Sequence, residues 1–94
     1  MKAIEFDSST WASPEDFYSA LLPELGAPEW HGRNLDALND SLAGGINRLE
    51  PPFRVEIGGT AHLSSDMAAF LGEVHALFEE ARRAFGVEVS LVLK

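Results

Sequence analysis

The chain contains no cysteine, which excludes a disulfide framework, thiolate chemistry and a zinc site built on sulfur. Long apolar runs are missing as well. None approaches the roughly 18 residues that a bilayer-spanning helix needs, and the opening MKAIEFDSST carries acids where a secretory signal has an apolar stretch. The expectation is a cytoplasmic protein. Bases are scarce: seven Lys and Arg stand against 15 Asp and Glu, a formal net charge of -8 at pH 7. That sign repels nucleic-acid phosphates and anionic membrane surfaces, so neither is expected as a direct partner. It attracts cationic partners and speeds their encounter, and it equally serves solubility.

What is present reads as one small globular domain over residues 1–94, long enough for a single core and too short for two. Residues 2–6, 54–57 and 87–93 alternate or run apolar as strands do. Between the first two, Ser13-Pro14-Glu15-Asp16 opens a helix with a cap residue, a proline at the first helical position and early acids. Phe17, Leu21 and Leu25 form its apolar stripe, and Gly26 and Pro28 end it. Asn34 caps a second, shorter helix with Leu35, Leu38 and Leu42 at helical spacing, stopped by Gly44-Gly45.

The LEPPF stretch at 49–53 reads as a loop leading to an edge, because proline cannot donate to a central ladder. From Ser64 or Ser65, the residues Met67, Phe70, Leu71, Val74, Leu77, Phe78 and Ala81 trace a long amphipathic helix closed by Gly86. Crossovers of this length return the chain in parallel. The economical fold is therefore α/β, a small three-stranded parallel sheet packed against helices in two layers.

Within the second helix, Asp36 and Asp40 stand four apart, a like-charge pair on one face that costs a few tenths of a kcal/mol. Asp36 is favoured in the first turn by the helix dipole, whereas Asp40 lies nearer the unfavourable C-terminal end. A solvated face partly balanced by Arg33 or Arg48 would explain Asp40 without any function. Just upstream, Trp30 and His31 place an aromatic and an imidazole in a loop beside this helix, where aromatics anchor contacts, although Trp30 could equally plug the core. Glu79 and Glu80 are followed by Arg82 and Arg83, the pattern of an exposed salt-bridge face.

An enzyme would need a nucleophile with its base, a metal cluster or a phosphate loop. His31, His62 and His75 lack zinc-site spacing, and His31 with Asp36 and Asp40 makes at best a hypothetical metal or acid/base site. Gly58-Gly59 is too short for a phosphate-binding loop. No cofactor is expected.

The segment Pro28-Glu29-Trp30-His31-Gly32-Arg33-Asn34-Leu35-Asp36-Ala37-Leu38-Asn39-Asp40-Ser41-Leu42 resembles the signature of the barstar family of intracellular ribonuclease inhibitors. That signature is an aromatic pair, a glycine, then Asn-Leu-Asp-Ala-Leu and a second aspartate. The order of elements along the whole chain resembles the family too, although local identity is high only in this motif.

The resemblance implies a stoichiometric inhibitor or immunity protein whose second helix and preceding loop plug the active site of a basic, barnase-type ribonuclease in a 1:1 complex. By position, Asp40 would take the place of the substrate phosphate and Asp36 would accept hydrogen bonds beside it. Trp30 would stack on the nuclease's catalytic histidine, and Glu80 would pair with a base at the rim. His31, Gly32, Asn34, Asn39 and Gly44 complete the implied contact set. Asn39 stands where the family can have tryptophan, His31 where it can have tyrosine, and Gly45 where a further aromatic can sit. These departures bear on which nuclease is bound, since specificity is set by such contacts. The alternative is a barstar-like binding module for another basic protein, without ribonuclease inhibition.

Overall fold

The structure is a computed structural model that describes residues 2–28, 31–44 and 47–94. Three parallel strands, β1 (Lys2–Asp7), β2 (Phe53–Gly58) and β3 (Val89–Leu93), form one sheet in the order β1-β2-β3. Helices α1 (Pro14–Leu25) and α2 (Leu35–Gly44) make the first crossover, and α3 (Ser65–Phe85) makes the second. This is the expected α/β, two-layer arrangement. The register aligns Ile4, Val55 and Leu91 across the three strands, all buried, so one face of the sheet carries the core. The intervening residues Glu5, Glu56 and Val92 occupy the other face.

A parallel sheet is usually covered on both faces, whereas here the second face is polar. Glu56 closes part of it by accepting from Arg54 Nε at 3.1 Å and pairing with the Lys94 ammonium. The Lys94 hydrogen bond, helped by Arg54, holds the Glu56 carboxyl below its ordinary value.

Helix ends follow the punctuation of the sequence. The Asp16 carboxylate accepts from the backbone N–H groups of Ala12 and Ser13 at 2.7 and 3.2 Å, and Ser64 Oγ accepts from Met67 N–H at 3.2 Å. The stripe Met67, Leu71, Val74, Phe78 and Ala81 buries α3 against the sheet and the other helices, with Phe70 and Leu77 at its half-buried margin. Phe17 of α1 meets Phe70 edge-on, ring centroids 5.5 Å apart, which ties the first helix to the third.

Three expectations need correction. The third strand begins at Val89 rather than Val87, because the Val87 N–H is spent on the Ala81 carbonyl at the end of α3. The loop through Pro51 and Pro52 leads into the central strand, not an edge; both prolines precede the ladder and so remove no bond from it. A 3₁₀ turn at Thr60–His62 lies within what reads as loop, held by Thr60 N–H and Oγ1 donating to the Lys94 carbonyl.

One glycine contact sets the frame of the site. Gly26 adopts φ 65°, and a Cβ there would stand 2.6 Å from Arg48 Cβ. Its absence lets residues 48 and 49 lie against the end of α1, where Leu49 N–H donates to the Leu25 carbonyl at 2.9 Å.

Candidate functional site: the outward face of the second helix

Helix α2 is amphipathic in a simple way. Leu38, Ser41 and Leu42 face inward, and Asp36, Asp40, Ala43 and Gly44 are exposed on the opposite side. Asn39 is half-buried on the flank. The buried Ser41 hydroxyl donates to the Leu38 carbonyl at 3.0 Å, so the inward face is polar-satisfied. Asn34 Oδ1 accepts from Ala37 N–H at 2.8 Å and starts the helix as its cap. Gly32 lies so near the first turn that a Cβ would meet Ala37 Cβ at 3.1 Å and Asn34 Nδ2 at 3.0 Å. Two of the motif's residues, Gly32 and Asn34, thus build the helix entry.

Among the described residues no ion pair reaches Asp36 or Asp40. Of the two bases expected to balance Asp40, Arg48 lies against Gly26 and enters no ion pair among the described residues, and Arg33 is turned elsewhere. Arg33 Nη1 donates to Glu15 Oε1 at 2.5 Å and to Ser19 Oγ at 2.9 Å, both on α1. Its guanidinium therefore tethers the entry loop to the first helix and leaves the acids of α2 uncompensated. The arrangement was hidden in the sequence, although Glu15 and Ser19, four apart on one face of a helix, are the spacing that could have disclosed it.

His31 is buried, 7% exposed, with its backbone N–H on the Pro28 carbonyl at 2.9 Å. Nδ1 lies 2.6 Å from the Gly32 carbonyl, a distance at which it must carry the proton and donate. Nε2 is buried with no partner among the described residues. Among the described residues no group of three potential metal ligands occurs. Trp30 and Gly45 lie outside the described residues.

Glu80 sits on α3, exposed, and pairs with the Arg83 guanidinium one turn on; Glu79 pairs likewise with Arg82 at 3.0 Å. This is the salt-bridge face that the sequence pattern predicts. Gly44, like Gly72, has no positive φ, and among the described residues a Cβ added to it would meet nothing within 4 Å. Among the described residues neither backbone conformation nor packing asks for glycine there. No described helix is long and apolar enough to cross a membrane.

Among curated proteins none matches the chain. The family described as barstar (barnase inhibitor) matches it over residues 1–94, its whole length. A parallel α/β fold, a Gly-x-Asn entry and a short helix with two outward aspartates accompany that match, and the chain belongs to the barstar family, a family of inhibitors rather than enzymes.

Proposed function

We propose that this protein, folded as one domain over residues 1–94, blocks the active site of a barnase-type ribonuclease with the outward face of α2 and the loop before it, in a 1:1 complex within the cytoplasm. The observation that carries the reading is the pair of exposed aspartates on one helix face with the nearest base, Arg33, drawn off to α1. An enzyme built to hold phosphate presents bases to any well-placed carboxylate, and charge-assisted hydrogen bonds supply the attraction. Asp40 takes the phosphate position and Asp36 accepts hydrogen bonds beside it. The bare surface at Gly44 lets partner backbone approach closely, and Trp30 and Asn39 flank the contact. Glu80 assists at the rim after exchanging Arg83 for a base of the nuclease. Immunity against a nuclease delivered by a competitor is the same work in another setting.

The reading is tested by titrating a barnase-type ribonuclease with the protein and following RNA cleavage at low and moderate salt. Activity should vanish at one equivalent, and added salt should weaken the inhibition because exposed charges are screened. Undiminished cleavage at excess protein would transfer the acidic face to some other basic partner.

A further inference from the structure

A cleft of about 280 Å³ lies between the inward side of α2 and the loop that enters β2. Leu42, Leu49, Pro51 and Phe53 supply apolar walls, and Asn47 and Glu50 supply the polar groups. Small-molecule sites usually run from about 300 to 1,000 Å³, so this space suits one long side chain better than a cofactor. Among the described residues no base lines it. Asn47 is only 8% exposed, and its Oδ1 is buried with no hydrogen-bond donor among the described residues. An acceptor left in that state is uncommon, and it gains most from a donor brought by something else.

From these features we infer that the cleft is a second contact site of the inhibitor, which receives an arginine side chain of the protein partner. Apolar walls interleaved with acceptors complement a methylene stem that carries a charged head. The guanidinium offers five N–H donors in a planar fork and is more weakly hydrated than an ammonium, so it can serve Asn47 Oδ1 and the Glu50 carboxylate together. Turning the Asn47 amide toward the entering head breaks no bond at Oδ1, because Oδ1 has none. The cleft opens on the flank of α2 beneath Ser41 and Leu42, so the arginine comes from a part of the partner that wraps past the acidic face. The site rests on the ribonuclease-inhibitor reading only for the identity of the protein that carries the arginine.

The test has two arms. In the first, the isotopically labelled protein is titrated with N-acetyl-arginine amide and, separately, with N-acetyl-leucine amide, while backbone and side-chain amide resonances are recorded. Saturable shifts at the Asn47 side-chain amide, Leu42 and Phe53, given by the arginine probe alone, lost in Asn47→Leu and kept in Asp40→Ala, are expected. Shifts that the leucine probe reproduces, shifts at Asp36 and Asp40 in place of the cleft, or none at all would overturn the site. In the second arm, Asn47→Leu should weaken binding of the barnase-type ribonuclease about tenfold, the size of a lost hydrogen bond to a charged group. Its melting temperature should stay level or rise, since an unmet buried acceptor has been removed. Undiminished affinity in Asn47→Leu would reject the arginine as a nuclease residue. A wild-type protein that binds no ribonuclease would sink the inhibitor reading, and the first arm would still decide the cleft.

Discussion

Helix α2 and the C-terminal half of α3 each carry a pair of acids, and they treat the pair in opposite ways. On α3, Glu79 and Glu80 are each answered one turn later, by Arg82 and Arg83, so the face neutralises itself. On α2, Asp36 and Asp40 repel each other across one turn, and Arg33, three residues before Asp36, reaches to α1 instead. Exposed pairs of the α3 kind contribute little to stability and fit a solvated surface. An uncompensated pair is mildly destabilising by itself, and that cost is offset when a cationic partner arrives. Net charge treats the two helices alike. The placement of the bases separates them.

The largest effect that should sharpen this contrast is Asp40→Ala. It should weaken ribonuclease binding by several kcal/mol, a size carried over from the barnase–barstar pair itself, and calorimetric titration against wild type checks it. Next is Asn34→Ala, which removes the cap that aims α2. About 1 kcal/mol of stability should be lost, read from denaturant unfolding, with affinity falling as the helix entry frays.

Arg33→Ala should lower stability by less than about 1 kcal/mol, as for other exposed pairs. Its kinetic signature is more telling. With one base fewer the acidic field strengthens and association quickens, while the untethered loop lets the complex dissociate faster. Stopped-flow rates that move together in any other way would break the tether account.

Smallest is the effect of Glu56→Gln, on the sheet face away from the core. The Glu56 carboxyl titrates below its ordinary 4.5 because of Lys94, so its contribution is present above that value and is lost as pH falls through the depressed one. The variant should flatten the acid limb of the unfolding curve and leave ribonuclease affinity unchanged.

Much of this was legible in the residues. Asn34, Gly86 and the stripe from Met67 to Ala81 mark their helices because caps and period-3.6 apolar spacing act locally. The outward pairing of Asp36 and Asp40 follows from their spacing alone. What escaped depends on contacts between distant segments. The Arg33 tether joins residues 18 and 14 positions apart. The start of β3 moved because the Val87 N–H found the Ala81 carbonyl, a choice between two partners that strand propensity does not weigh. The buried state of His31 depends on a loop folded back on the Pro28 carbonyl, and an imidazole next to an aromatic in sequence gave no sign of it.

The central claim is that the Asp36–Asp40 pair of α2, which no base answers among the described residues, is the partner-binding pair, whereas the Glu79–Glu80 pair of α3 is already answered by Arg82 and Arg83. The most direct measurement sets Asp40→Asn beside Glu80→Gln, reading ribonuclease affinity and melting temperature in the same buffer. Each swap removes one charge and keeps the shape. The account predicts a loss of at least about thirtyfold in affinity for Asp40→Asn, the lower end for a truncated buried charge pair, a loss of no more than about fivefold for Glu80→Gln, as for exposed pairs, and nearly equal melting temperatures. Equal affinity losses in the two variants, or a fall in melting temperature confined to Asp40→Asn, would contradict it.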